Sequence, residues 1–278
     1  MLRPPAPPAD MTALAPTERS RRMLEAALAG AEAIRAHAGR WEGAALEKKG
    51  ARDFVTAADR QSEAAVAAAL SAAFPDHAVT GEEGTAIRRD GGRAGTFLVD
   101  SIDGTTNFAW GMPFFGIAIA LVEEGDTVAG VVLDPSLGEA FVAERGLGAF
   151  LNGRRLRIDR TVAPEEALVG ASLPIPGQIR SIDVEAYHRA LRRVIDRAAG
   201  VRRLGSAALS LCYVAAGRHD AFFEDGLSPL DYAAAVLVLR EAGGVATGFD
   251  GSPIPATGAV LGANPSLHPW LVGLLTNS

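Results

Sequence analysis

The sequence predicts a layered α/β protein, and three observations carry that expectation. Two long alanine-rich stretches with helical spacing come first. A series of β-branched and aromatic segments separated by turn residues follows. The second half then alternates short apolar runs with helical ones. Helices ahead of a meander, with alternation after it, bury their apolar faces by stacking in layers. The chain of 278 residues, 48% of them hydrophobic, is long enough for one large domain or two small ones with a sizeable core. No internal repeat and no interdomain linker is visible. We therefore expect a single domain over 17–278 whose halves, about 17–160 and 161–278, form subdomains meeting at a cleft.

Each element has its own signal. Pro4, Pro5, Pro7, Pro8 and Pro16 crowd the start, so residues 1–16 read as a frayed, polyproline-like tail; proline lacks an N–H and fixes φ. Thr17 is placed to cap a helix running to about Gly39. A short strand near Ala45 to Lys49 leads into Arg52-Asp53-Phe54-Val55-Thr56, and a second helix runs from about Ala57 to Phe74, stopping before Pro75. Phe97-Leu98-Val99 is a buried strand that runs straight into Asp100. Phe114 to Val122, Thr127 to Leu133 and Glu139 to Ala143 form an antiparallel meander, broken at Glu124-Gly125-Asp126 and from Asp134-Pro135 to Gly138. Asn152-Gly153 marks another turn. Strands are then expected at Leu168 to Ser172, Val201 to Leu204 and Asp220 to Phe223, with helices at Val184 to Ala199 and Ser206 to Ala216 between them. A helix from about Leu230 to Ala242 ends at Gly243-Gly244. Val245 to Thr247, Val260 to Gly262 and a helix from His268 complete the chain.

Composition narrows the function. With 27 Lys+Arg against 33 Asp+Glu, net charge −6, nothing suggests a surface built to neutralise nucleic-acid phosphates. The apolar runs fall short of the ~20 residues that a membrane span needs. No basic-then-apolar leader is visible, so the expected location is the cytoplasm. A single cysteine, Cys212, forms no internal disulfide, and it lies in an apolar helix, where a core role is expected. His37, His77, His188, His219 and His268 are scattered without matched partners, which leaves no Cys/His zinc site. There is no Gly-x-x-x-x-Gly-Lys-Ser/Thr loop, no Gly-x-Gly-x-x-Gly and no Gly-x-Ser-x-Gly elbow.

Chemistry concentrates in Leu98-Val99-Asp100-Ser101-Ile102-Asp103-Gly104-Thr105-Thr106-Asn107-Phe108. Asp100 ends a strand and Asp103 follows in a turn. Carboxylates this close repel unless a cation lies between them. Mg²⁺ favours oxygen ligands, and the Ile102 carbonyl could add one more. Gly104, Thr105 and Thr106 then offer consecutive N–H groups, a phosphate cradle if a helix starts there. A metal pair beside such a cradle is what phosphate-ester hydrolysis requires. The bland alternative is a strand end with an Asx-turn and a threonine cap. Three other acids have equally bland alternatives. Thr56 followed by Asp59 fits a helix N-cap, Gly81-Glu82-Glu83-Gly84 fits a solvated turn, and Ser228 with Asp231 fits a capping box.

Asp100-Ser-Ile-Asp-Gly-Thr-Thr-Asn-Phe108 resembles the Asp-Pro-Ile/Leu-Asp-Gly-Thr-Thr-Asn-Phe signature of the inositol monophosphatase family. Asp53-Phe-Val-Thr-Ala-Ala-Asp59, Gly81-Glu-Glu-Gly84 and Leu230-Asp-Tyr-Ala-Ala234 with Glu241-Ala-Gly-Gly244 follow the family's order and spacing, as do Arg203-Leu-Gly-Ser-Ala-Ala208 and Phe222-Phe-Glu224. The similarity covers roughly residues 20 to 275. It implies an alternating α-β-α-β-α sandwich, usually a homodimer, using two or three Mg²⁺ and typically lithium-sensitive. By position, Glu82, Asp100 and the Ile102 carbonyl would hold a first metal, and Asp100, Asp103 and Asp231 a second. Glu82 with a water-bridged Asp59 would hold a third, weaker one. Thr105 with Glu82 would orient and deprotonate the attacking water, Asp59 is counted with them as catalytic, and the amides of Gly104, Thr105 and Thr106 would bind the phosphate. Gly205, Ser206, Ala207 and Glu224 would face the alcohol, with Asp103 and Asp231 nearby.

The resemblance implies a small phosphate monoester as substrate, myo-inositol 1-phosphate first. Histidinol phosphate, fructose 1,6-bisphosphate and 3′-phosphoadenosine 5′-phosphate are the alternatives within the superfamily, and a non-catalytic regulatory module is the alternative outside it. Two positions depart from the family pattern. Ser101 replaces a proline, which frees the turn and adds an N–H; Leu230 replaces a tryptophan and removes an aromatic wall.

Overall fold

The computed structural model describes residues 15–37, 47–50, 53–55, 57–87, 94–175 and 177–277. The expected tail up to residue 14 and the Thr56 cap lie outside them. Helix α1 (Glu18–His37) begins where expected: the Thr17 hydroxyl accepts the Ser20 N–H at 3.2 Å, and the Ser20 hydroxyl accepts the Thr17 N–H at 3.1 Å. Strands β1 (Glu47–Gly50) and β2 (Asp53–Val55) form a hairpin ahead of α2 (Ala57–Ala73). α1 crosses α2 at Gly30, where a Cβ would stand 2.7 Å from Val66 and 2.9 Å from the Ser62 hydroxyl.

Next come β3 (Ala78–Gly81), β4 (Ala86–Ile87), β5 (Thr96–Asp103), the short helix α3 (Thr105–Ala109), β6 (Gly116–Glu123), β7 (Asp126–Asp134), β8 (Glu139–Glu144), β9 (Gly148–Leu151) and β10 (Arg154–Arg155). These strands form one sheet in the order β10-β9-β8-β7-β6-β5-β3-β4. It is antiparallel except where β3 runs parallel to β5. The meander is as expected, and it extends through β9 and β10 around Asn152-Gly153. The strand expected from Phe114 starts instead at Gly116, because Asn107 draws the Phe114 carbonyl out of the ladder with a 2.7 Å hydrogen bond.

The second half supplies β11 (Leu168–Ala171), α4 (Val184–Ile195), β12 (Gly200–Arg202), α5 (Ala207–Ala215), β13 (Ala221–Glu224), α6 (Pro229–Glu241), β14 (Val245–Thr247), β15 (Val260–Ala263) and α7 (His268–Thr276). Its sheet has the order β12-β11-β13-β15-β14. α4 stops short of Ala199 because Gly200 must be extended to pair with Leu168.

Stacking follows from the apolar faces. α1 and α2 cover one face of the larger sheet through Met23, Leu24, Val66, Leu70, Phe97 and Ile119. α5 and α6 fill the space between the two sheets, with Leu209, Leu211, Val238, Phe141 and Val260 in one core. α4 and α7 close the far side with Tyr187, Leu191, Leu271 and Phe223. The layers therefore read α-β-α-β-α. Among the described residues, no helix is long and apolar enough to cross a membrane.

Candidate active site

Strand register brings the first acids together. Gly81 at the end of β3 pairs with Val99 of β5, so the next residues, Glu82 and Asp100, emerge side by side; the Glu82 N–H donates to the Val99 carbonyl at 3.2 Å. The third acid arrives from the middle layer on the first turn of α6. There Ser228 and Asp231 form the expected capping box, with the Ser228 N–H donating to Asp231 Oδ2 at 2.7 Å. Carboxylate oxygens of Glu82, Asp100 and Asp231 all lie within 4.8 Å of one another. Asp100 is 3% exposed, and burial, reinforced by the charges of Glu82, Asp103 and Asp231, pushes its pKa far above the usual carboxylate value. Burial also raises Asp231, against the hydrogen bonds from Ser228.

Asp103 follows a bulge that shifts the β5–β6 register after Asp100. Its carboxylate stands outside the three-acid cluster and faces the start of α5. It accepts the Ala208 N–H at 2.7 Å, the Ala207 N–H at 3.2 Å and the hydroxyl of Ser206, the residue that caps α5. Burial nevertheless lifts it to about 7, with the Ser206 bond opposing and the Asp231 charge adding. Glu224, at the end of β13, also reaches about 7 through burial, eased by Ser172 and Arg203.

Gly104 takes φ +99°, a left-handed turn open to glycine, and α3 starts directly after it. The first N–H groups of a helix have no intrahelical acceptor, so those of Thr105 and Thr106 are left for a ligand. A Cβ on Gly104 would come 3.1 Å from the Gly205 carbonyl, and Gly205 itself has φ +84°. Asn107 ties α3 to that second loop by donating to the Leu204 carbonyl at 2.7 Å. The Thr105 hydroxyl lies 3.0 Å from both the buried Asp59 carboxylate and the Ile102 carbonyl.

The structure therefore gathers Asp59, Glu82, Asp100, Ile102, Thr105 and Asp231 from four parts of the chain. Gly104, Thr106, Gly205, Ser206, Ala207 and Glu224 sit on the loops and helix starts around them. The donor set is all oxygen: clustered carboxylates, one of them exposed, beside a main-chain carbonyl. That chemistry fits a hard divalent cation and offers a soft metal nothing. The departure at 101 has a use of its own, since the buried Ser101 hydroxyl donates to the Asp59 carbonyl at 2.9 Å and ties the acid turn to α2. One participant escaped the sequence reading. Glu63 is buried on the apolar stripe of α2 together with Asp59, Ser62, Val66 and Leu70, and a charged residue on such a stripe was the available signal.

Comparison with known proteins identifies the family and the fold. The profile of the inositol monophosphatase family matches residues 17–278. A Pseudomonas aeruginosa protein named Nus factor SuhB is 44% identical over 231 residues, covering 82% of this chain and 84% of that one. An inositol-1-monophosphatase of Rhizobium meliloti is 40% identical over 242 residues, covering 86% and 90%. The crystal structure of extragenic suppressor protein suhB from Bartonella henselae superposes with a TM-score of 0.88 at 36% identity, covering 94% of this chain and all of that one.

Proposed function

The chain belongs to the inositol monophosphatase family, and on that premise we propose that it is a Mg²⁺-dependent phosphomonoesterase acting on a small polyol phosphate, myo-inositol 1-phosphate first. One observation carries the reading: carboxylate oxygens from three distant segments converge within 4.8 Å of one another, and α3 opens two residues after Asp103. Glu82, Asp100, the Ile102 carbonyl, Asp103 and Asp231 would hold the metal ions. When bound, Mg²⁺ offsets the charge of the acids and of the phosphate and lowers the pKa of water.

The chain's own groups do the rest. The Thr105 hydroxyl has one proton and two acceptors at 3.0 Å. Donated to Asp59, that proton leaves the Ile102 carbonyl free as a ligand and turns a Thr105 lone pair toward the attacking water. Glu82, which is exposed, shares in drawing off the water's proton. The amides of Gly104, Thr105 and Thr106 hold the phosphate oxygens so that attack comes in line with the leaving alkoxide. Gly205, Ser206, Ala207 and Glu224 would line the alcohol side, with Asp103 and Asp231 adjoining, and Glu224 would accept hydrogen bonds from the hydroxyls of a polyol. A cytoplasmic, lithium-sensitive homodimer belongs to the same proposal.

Phosphate release with Mg²⁺ over myo-inositol 1-phosphate, histidinol phosphate, fructose 1,6-bisphosphate and 3′-phosphoadenosine 5′-phosphate tests it. We expect the first to give the highest kcat/KM, and Asp100→Asn to lose more than ~100-fold, beyond what changes behind the ligands cost. No release from any of the four would overturn the proposal. A second reading has one observation in its favour, the name Nus factor SuhB borne by the 44% identical relative. On that reading the chain also acts without hydrolysis. Asp100→Asn would then still replace the wild-type chain in cells lacking it.

A further inference from the structure

We propose that Glu63 is a positioning residue for Glu82, holding the turn that carries this acid; the inference rests on the reading of Glu82 as a metal ligand. Glu82 is exposed, and the path of its backbone sets where its side chain can reach. On one side that backbone is held by the bond from Glu82 N–H to the Val99 carbonyl. On the other, Glu63 reaches across from α2. Its Oε2 accepts the Glu83 N–H at 2.7 Å and its Oε1 accepts the Thr85 N–H at 2.9 Å.

The arrangement needs a carboxylate. Glu63 is 2% exposed, and a carboxylate buried this deeply is costly unless both of its oxygens are hydrogen-bonded. Both are. A glutamine in the same place would offer one acceptor, and its NH₂ would confront the second backbone N–H. Glu63 also lies directly on the end of β3. A Cβ at Gly81 would stand 2.2 Å from the Glu63 carboxyl carbon, so residue 81 must be glycine for Glu63 to reach the turn. Gly81 thus explains the close approach, and Glu63 explains why the turn after it has a fixed shape. α2 thereby braces both acid-bearing turns, the other through the Ser101–Asp59 bond and the Ser62 hydroxyl, which donates to the Ser101 carbonyl at 3.3 Å.

Calorimetric titration of Mg²⁺ into the full-length protein tests this directly, with Glu63→Gln, Gly81→Ala and, as a control for losing a distant serine bond, Ser266→Ala. Residues behind a metal ligand typically contribute 10–100-fold to affinity, so we expect Glu63→Gln and Gly81→Ala to weaken Mg²⁺ binding by about that factor. Ser266→Ala should bind as the wild type does. At saturating Mg²⁺ the KM for the phosphate ester should stay within about 2-fold of wild type for both brace variants, because neither touches the phosphate cradle. Gly81→Ala keeps Glu63 and perturbs it from the opposite side, so it carries the test should Glu63→Gln fail to fold. Folded variants with wild-type Mg²⁺ affinity, whatever their loss of melting temperature, would overturn the brace alone. A wild type that binds no Mg²⁺ would overturn the metal reading as well.

Discussion

Asp231 meets two demands with one carboxylate. It closes the capping box of α6 with Ser228, and it completes the cluster with Glu82 and Asp100. Each carboxylate oxygen has two lone pairs, so accepting a capping bond leaves one free for a ligand. Capping and catalysis are therefore not rival explanations of this acid, although from spacing alone they look like it. Asp100 shows the cost of such a cluster. Buried among like charges, it is held far above its ordinary pKa. Asp100→Asn keeps the shape and the acceptor for the Ile102 N–H while removing the charge. In chelator, we expect this variant to melt a few degrees above wild type, a relief of ~1–2 kcal/mol. Mg²⁺ should then raise its melting temperature less than it raises that of wild type. A lower melting temperature than wild type in chelator would contradict this. Asp100, Glu82 and Asp231 were legible because each lies in a short motif at or near the end of an apolar strand or the start of a helix, although β5 does not end at Asp100 as expected but runs through a bulge to Asp103. Glu63 and the bond of Ser101 were not, because their partners lie 20 to 42 residues away in sequence.

Helix α6 carries Asp231 to the site, and its seat on the larger sheet is set by one residue. A Cβ at Gly130 of β7 would lie 2.8 Å from the Ala234 carbonyl oxygen and 3.0 Å from the Ala234 Cα. Both are backbone atoms, so accommodation requires the helix to shift, and Asp231 is one turn away. Gly130→Ala should cost ~1–3 kcal/mol by urea denaturation. On the proposed function it should also weaken Mg²⁺ binding, because Asp231 moves relative to Glu82 and Asp100. Gly273→Ala, in α7 with open space around its Cβ, is the control and should leave both unchanged or slightly stabilise the fold. Equal Mg²⁺ affinity in Gly130→Ala would show that the sheet rather than the helix yields. Element identity was readable from caps and periodicity, as Thr17 and Ser228 show. Boundaries were less so. The Phe114 and Ala199 ends were decided by Asn107 and by the pairing of Gly200, contacts that no local pattern announces.

Across the whole molecule, layering concentrates negative charge where the larger sheet meets the middle helices. The turn after β3 contributes Glu82, β5 contributes Asp100 and Asp103, α6 contributes Asp231, and β13 of the smaller sheet contributes Glu224. The alternation of helices and strands made the layers legible, whereas this convergence depends on the β3–β5 register and on where α6 lands. The consequence is a stability that depends on pH in a particular direction. In the folded protein, without metal, Asp103 and Glu224 hold protons up to about 7, against 3.8 and 4.5 when unfolded. Between pH 8 and 6.5 the folded state takes up protons that the unfolded state does not, so stability must rise as pH falls. Below about 6.5 the trend is opposed by His219, whose folded pKa, lowered by burial to about 4, makes the unfolded state the better proton acceptor. On the proposed function, divalent ions held by Asp103 and the neighbouring acids would compete with these protons. In chelator, the melting temperature should therefore climb as pH falls from 8 to 6.5. In excess Mg²⁺ the slope should flatten or reverse, with the largest gain from Mg²⁺ at pH 8. Melting curves at pH 6.5, 7.2 and 8 with and without Mg²⁺ decide it. A chelated protein that is most stable at pH 8 would mean that these acids are already neutralised by protein groups, and the cluster would have no unmet charge for a cation to balance.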